Sequence, residues 1–253
     1  MDLKDKVIVI TGGGRGLGRA MALELAGRGA KLALVDLNQA SLDETIGLCT
    51  EINAEARGYV ADISDEAAVE KLFDDVVSDF GTLNGLVNNA GITRDGLFVK
   101  AKDGKVVKKM SLEDWELVLK VNLTGTFLCG REAAAKMIEL GTQGCIINIS
   151  SISRAGNMGQ TNYTATKAGV QAMAVTWAKE LARYGIRAAS IAPGFIATEM
   201  VMSMKPEALE KVESMIPLKR LGQPSEIART AAFIFENDYI SGRCFEIDGA
   251  LRL

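Results

Sequence analysis

The chain has 253 residues, 48% of them hydrophobic, no histidine, and a formal net charge of -3. This length and apolar content suit one large core, and the near balance of acid and base leaves no basic excess for nucleic acid. The missing imidazole excludes Ser-His-Asp hydrolysis, histidine zinc sites and dehydrogenases with a histidine base. Proton transfer must run on Tyr, Lys, Asp, Glu or Cys, and no metal site is expected.

The N-terminal Met1-Asp2-Leu3-Lys4-Asp5-Lys6 is charged and leads into an apolar run at 7–10, too short for a signal peptide or a membrane span. A cytoplasmic protein with no membrane partner is expected. Cys49, Cys129, Cys145 and Cys244 lack paired spacing and read as reduced, buried thiols.

Apolar runs of strand length at 7–10, 32–35, 58–60, 85–87, 145–149, 187–191 and 244–247 alternate with helical patterns such as 17–27, 66–79, 112–140, 161–184 and 225–235. Several strand candidates are unbroken runs rather than alternations, as expected where both faces of a parallel sheet are covered. The rhythm predicts an α/β fold: a Rossmann-like, doubly wound parallel sheet of about seven strands with helices on both faces. With no linker and no repeat, residues 1–253 read as a single domain.

Thr11-Gly12-Gly13-Gly14-Arg15-Gly16-Leu17-Gly18 follows the first strand and opens the first long helix. Glycines there permit a tight turn and let the backbone approach a pyrophosphate seated on the helix N-terminus. Gly12, Gly14, Arg15, Gly16, Leu17 and Gly18 are therefore candidate cofactor contacts. Asp36 ends the second strand, 18 residues after Gly18, near the offset expected of a ribose-binding acid, with Leu37 beside it. A carboxylate there accepts from a 2′-hydroxyl and repels a 2′-phosphate, which predicts NAD over NADP. Arg15 cuts the other way, because it could reach a 2′-phosphate, but an unpaired carboxylate beside that phosphate is the costlier arrangement. Asp62, followed by Ile63, ends the third strand near the adenine edge. Asn89, Ala90 and Gly91 follow the fourth, where small residues let the nicotinamide-side ribose approach the backbone.

Between Phe98 and Val107, Asp103-Gly104 stands between short apolar pieces and suggests a small hairpin. Within the lysine-rich run from Lys100 to Lys109 it reads slightly better as a solvated insertion than as a flap at a substrate mouth. Ser111-Leu112-Glu113-Asp114 then resembles a capping box and should start a long helix.

Tyr163 and Lys167, four residues apart in a helical pattern, project from one helix face. A lysine ammonium roughly 4 Å from the phenol could favour the phenolate by about 4 kcal/mol at a surface-like dielectric, an upper limit before desolvation. Such a tyrosine can trade a proton with an alcohol or ketone near neutral pH.

Taken together, Thr11 to Gly18, Asn88-Asn89-Ala90-Gly91, Asn122, Ser150-Ser151, Tyr163-x-x-x-Lys167 and Pro193-Gly194 resemble the short-chain dehydrogenase/reductase family over essentially the whole chain. The resemblance implies that Tyr163 is the acid/base, that Lys167 lowers its pKa and binds the nicotinamide ribose, and that a serine after the fifth strand orients the substrate oxygen. It implies that Asn122 bends its helix and helps hold a water in a proton relay. It also implies that Pro193, Gly194, Ile196 and Thr198 contact the nicotinamide and its phosphates. Ser150 has the usual spacing to Tyr163, but the strand end aligns better if Ser151 is catalytic, and Ser151 is the choice here. Only one of the two can face the site, since neighbours on an extended strand point oppositely.

Within the family, Gly91 to Asp95, Asn157 to Tyr163 and Ile216 to Gly222 look similar to bacterial 3-oxoacyl-(acyl-carrier-protein) reductases. That likeness implies an NAD(P)-dependent hydride transfer on a 3-oxoacyl thioester, and a homotetramer with the C-terminal residues and long helices between subunits. Those reductases typically use NADPH and lack the 100–109 insertion, so an NAD-dependent dehydrogenase of another secondary alcohol (3-hydroxyacyl-CoA, sugar or steroid type) is the alternative. A non-catalytic nicotinamide-binding regulator is a further one, against which the retained Asn, Ser, Tyr and Lys set argues. Substrate shape should come from 91–110 and 195–217. In the latter, Met200, Met202, Met204 and Met215 suit either an adaptable lid or ordinary helix packing.

Overall fold

The computed structural model describes residues 1–253, the side chain of Met200 apart. In chain order the first half holds β1 (Val7–Thr11), α1 (Gly16–Ala26), β2 (Lys31–Asp36), α2 (Gln39–Glu51), β3 (Ala56–Val60), α3 (Glu66–Phe80), β4 (Gly85–Asn88), β5 (Val99–Lys102), β6 (Lys105–Lys109) and α4 (Leu112–Leu119). The second half holds α5 (Gly125–Glu139), β7 (Gly144–Ile149), α6 (Thr161–Glu180), β8 (Ile186–Pro193), α7 (Glu199–Met202), α8 (Pro206–Met215), α9 (Pro224–Glu236) and β9 (Cys244–Ile247).

Among the described residues, seven strands form one parallel sheet ordered β3-β2-β1-β4-β7-β8-β9. The strand order reverses between β1 and β4, and a doubly wound sheet binds its ligand at that crevice, outside the strand C-termini. The unbroken apolar runs have the predicted cause. Ile8 and Ile10 of β1 pack in one cluster with Met21 and Leu25 of α1 and Ile227 and Phe235 of α9. Val7 and Val9 face the other way, into Val69 and Phe73 of α3 and Ala133 and Met137 of α5. Alternate residues of one strand thus serve two cores, so neither face can be polar. No helix among the described residues is long and apolar enough to cross a membrane.

Two sequence expectations are corrected. The stretch 112–140 is not one helix: a π-helical segment, Lys120–Thr124, separates α4 from α5. Helix α2 starts where the capping residue puts it, with Asn38 Oδ1 accepting from the Ser41 N–H at 3.0 Å. Cys49, Cys129 and Cys145 are buried free thiols, but Cys244 is only half-buried.

The hairpin forms where the turn residues put it. Asp103 and Gly104 both have positive φ, 51° and 74°, the primed geometry that matches strand twist. Ser111 Oγ accepts from the Asp114 N–H at 3.1 Å and starts α4. Near the C-terminus, Leu251 is buried against Val212 and Ile216 within the chain. In the methionine-rich segment it is Val212 and Ile216 that pack, while Met202, Met204 and Met215 are exposed. The Met200 side chain lies outside the described residues.

Candidate active site

The turn after β1 is held by packing that only glycine allows. Gly12 has φ 63°, and a Cβ on Gly18 would stand 1.9 Å from the Gly12 carbonyl oxygen. The turn is tied across the crevice. Asn89 Nδ2 donates to the Thr11 and Gly12 carbonyls at 3.0 and 3.1 Å, and Thr11 Oγ1 accepts from the Asn89 and Ala90 amides. Behind it, Arg19 donates to the Gly14 carbonyl at 2.8 Å while its guanidinium pairs with Glu44. Arg19 and Thr45, which also donates to the Gly14 carbonyl, brace the loop beside Thr11 and escaped the sequence reading. The N-cap of α1 is Arg15, extended and offering no side-chain oxygen to the first amides. Those amides and the adjoining glycine backbone suit an anionic diphosphate, so the loop fits a dinucleotide.

A cavity of about 1030 Å³ runs along the strand C-termini. Of the positions expected to contact a cofactor, Gly12, Arg15, Gly16, Leu17, Asp36, Leu37, Asp62, Ile63, Asn89, Ala90, Gly91 and Thr198 line it, together with the unpredicted Arg94, Leu117 and Lys120. Gly14 and Gly18 lie behind the wall as packing positions. Asp36 accepts from the Gly14 and Asn38 amides, both at 3.2 Å, and its carboxylate still borders the cavity. Its two readings, turn residue and ribose acceptor, are therefore compatible in one side chain. The Arg15 side chain is exposed and makes no hydrogen bond or ion pair among the described residues, while its carbonyl accepts from the Arg19 amide at 3.2 Å. Asp62 accepts from the Ser64 amide and hydroxyl, which hold its carboxyl below the usual carboxylate range with help from Lys120. Exposed Leu37 gives an apolar rim near Asp36.

Pro193, Gly194 and Ile196 do not line this cavity. Gly194 is packed against Asp248, where a Cβ would come within 2.8 Å of its Cα, and buried Ile196 bridges to Gly222. Their turn delivers Thr198, the N-cap of α7, to the cavity.

The chemistry-bearing side chains meet at the start of α6. Lys167 is buried, and its Nζ donates to the Ile149 carbonyl at 2.8 Å and lies 5.4 Å from the centre of the Tyr163 ring. Burial pulls its pKa down to about 8. Ser150 turns inward, where its hydroxyl donates to the Lys167 carbonyl at 2.7 Å. Ser151 turns the other way, caps the short helical turn Ile152–Ala155, and faces the Tyr163 hydroxyl. The spacing argument gives the wrong sign for Tyr163 in this site. Burial pushes its phenol up to about 12, against the Ser151 hydroxyl and with the Asp95 carboxylate adding to the rise. Lys167 is not among the causes: it sits beside the ring, and desolvation acts on both groups.

Asn122 occupies the π-helical segment, a feature that often marks functional sites. Its side chain pairs both ways with Ile92, accepting from the amide at 2.8 Å and donating to the carbonyl at 2.9 Å. The cavity and the catalytic candidates share a wall at Gly91, where a Cβ would stand 3.2 Å from Asn122 Oδ1 and 3.6 Å from Lys167 Nζ.

Residues 12–251 match the family described as Enoyl-(Acyl carrier protein) reductase. A (3R)-3-hydroxyacyl-CoA dehydrogenase of Rattus norvegicus is 40% identical over 260 residues, covering 98% of this chain and 97% of that protein. The 3-oxoacyl-(acyl-carrier-protein) reductase FabG of Thermotoga maritima is 39% identical over 254 residues, covering 99% of each. The crystal structure of levodione reductase superposes with a TM-score of 0.88 at 37% identity, covering 97% of both chains.

Proposed function

Because this chain belongs to the short-chain dehydrogenase/reductase family and is an oxidoreductase, we propose that it reduces 3-oxoacyl thioesters with NADH. The observation that carries the reading is the shared wall at Gly91, which brings a dinucleotide-sized cavity against Lys167 and Asn122.

In this proposal a bound nicotinamide supplies the hydride. Ser151 donates to the substrate carbonyl oxygen, and Tyr163 gives that oxygen a proton as negative charge develops on it. A phenol held at about 12 keeps its proton at neutral pH, which is the state reduction needs. Lys167, anchored on the Ile149 carbonyl, positions the tyrosine ring and offers its remaining N–H groups to the nicotinamide ribose. Asn122 holds the Ile92 backbone and leaves the π-helical turn open for a relay water. Gly12, Gly16 and the α1 amides hold the diphosphate, while Asp36 takes the adenosine ribose and Asp62 and Ile63 the adenine edge. Thr198, at the cavity wall, would contact the nicotinamide side.

Asp36 supports NAD over NADP, since a 2′-phosphate there would meet a carboxylate bordering the cavity. Asp36 and the Rattus norvegicus relative together favour a second direction, NAD-linked oxidation of a 3-hydroxyacyl thioester. The proposal treats 1–253 as one catalytic domain in a cytoplasmic homotetramer. Exposed Leu112 and Phe127, on α4 and α5, support subunit contacts through those helices.

Initial rates with an acetoacetyl thioester, NADH beside NADPH, test the reading. Faster turnover with NADH is expected. A clear NADPH preference would move the cofactor assignment from Asp36 to Arg15, and no turnover with either would remove the thioester.

A further inference from the structure

The turn that carries Ser151 is tied to a strand on the far side of β8. After Ser151 the chain makes the short helical turn Ile152–Ala155, and Arg154 reaches back along it. The Ser151 carbonyl accepts twice from this one residue, from the Arg154 amide and from Arg154 Nη1, both at 3.1 Å. Two donors use both lone pairs of that oxygen and fix the peptide that follows Ser151. The other arm of the guanidinium, Nη2, pairs with Glu246 of β9. The Arg154 side chain is 14% exposed, which limits solvent screening of the pair. Glu246 is held in turn, with Arg252 Nη2 lying 3.0 Å from its second carboxylate oxygen. It stands opposite Ala192 in the register of β9 with β8, so the anchor sits on the sheet rather than on a loop.

The same turn is tied to the tyrosine helix. Thr164, the residue after Tyr163, donates through Oγ1 to the Ser153 carbonyl at 2.8 Å. The Ser153 amide donates to Ser151 Oγ at 3.1 Å. That amide takes one lone pair of the serine oxygen and leaves its O–H to donate elsewhere. A serine that aims one hydrogen bond at a reacting oxygen needs its backbone held in place. Thr164 holds the turn to α6, and Arg154 holds it to β9. The planar guanidinium fork reaches a carbonyl and a carboxylate together, which a single ammonium does less well.

We propose that Arg154, anchored by Glu246, is a positioning residue that holds Ser151 for its hydrogen bond to the substrate oxygen. This rests on the serine role and the thioester reading above, and it adds the residue that sets the serine's aim. The test uses the full-length enzyme and the variants R154Q, R154K, E246Q, S151A and S151A/R154Q, with NADH and the acetoacetyl thioester of N-acetylcysteamine. In R154Q, Glu246 keeps Arg252, so no carboxylate is left unpaired. In R154Q and R154K, kcat is expected to fall about tenfold, with KM and the directly titrated NADH affinity within about twofold of wild type. E246Q keeps the arginine and weakens its anchor, and should lose about threefold in kcat. S151A/R154Q should be no slower than S151A, because the arginine acts through the serine. Amide hydrogen exchange at Ser153 and Arg154 should quicken in R154Q and E246Q.

An R154Q kcat equal to wild type overturns the proposal. So does a further fall from S151A to S151A/R154Q, which would give Arg154 a general structural role. A KM rise at unchanged kcat overturns it too, making Arg154 a substrate contact. If R154Q does not fold, E246Q decides: a kcat loss at an unchanged melting temperature supports the proposal, and an unchanged kcat overturns it. S151A as fast as wild type would remove the serine assignment and this proposal with it. A wild type that turns over no thioester would sink the thioester reading, and exchange would then decide: faster at Ser153 and Arg154 in both variants supports the hold, and unchanged overturns it.

Discussion

Replacing Lys167 with Met should stabilise the cofactor-free enzyme at neutral pH while abolishing its chemistry. Burial lowers the Lys167 pKa from its ordinary 10.5 to about 8. At pH 7 the folded state holds an ammonium that water would solvate better, a cost of about 3 kcal/mol. Methionine removes that cost but leaves the Ile149 carbonyl without its 2.8 Å donor, a loss of about 1–3 kcal/mol. The net gain is about 1 kcal/mol at pH 7. The pH dependence is the sharper signature. Between about pH 8 and 10.5 the unfolded chain holds the lysine proton and the folded one has shed it, so wild-type stability rises through that window. From pH 7 to 9.5 the wild type should gain about 2 kcal/mol on the variant, enough to reverse their order. Urea unfolding of both proteins at the two pH values, at one fixed concentration, measures this. A difference that stays constant with pH would refute the claim that Lys167 is held charged against desolvation.

The two adjacent serines should separate cleanly. Ser151→Ala should cut kcat about a hundredfold with little change in stability, because its hydroxyl faces Tyr163. Ser150→Ala should cost about 1 kcal/mol of stability through the lost bond to the Lys167 carbonyl, with activity less affected. The reverse pattern, read from thermal melts and steady-state rates, would assign catalysis to Ser150. Gly18→Ala puts a methyl 1.9 Å from the Gly12 carbonyl. It should cost about 1–3 kcal/mol and weaken cofactor binding, measured by calorimetric titration. Unchanged affinity would mean that the turn can shift without losing the diphosphate.

The sheet was legible because burial of both strand faces writes itself into composition, as Val7 to Ile10 illustrate. The hairpin was legible through Asp103-Gly104, the pair that accepts positive φ. The break in 112–140 was not, because a π-helical turn changes hydrogen-bond partners without erasing the amphipathic pattern. Ser150 and Ser151 differ by one residue of strand parity, which sequence spacing leaves open; the backbone turns the Ser150 hydroxyl onto the Lys167 carbonyl and the Ser151 hydroxyl onto the Ser153 amide. The tyrosine was located by its spacing to Lys167, but its acidity was not. Spacing reports proximity, whereas the pKa follows desolvation, and desolvation depends on everything packed around the ring.

The central claim is that Tyr163 gives the proton that completes reduction. Tyr163→Phe, assayed with NADH and an acetoacetyl thioester beside a direct titration of NADH binding, tests it most directly. The account predicts cofactor affinity close to wild type and turnover lowered by about 10²- to 10⁴-fold. Near-normal turnover in that variant would contradict it.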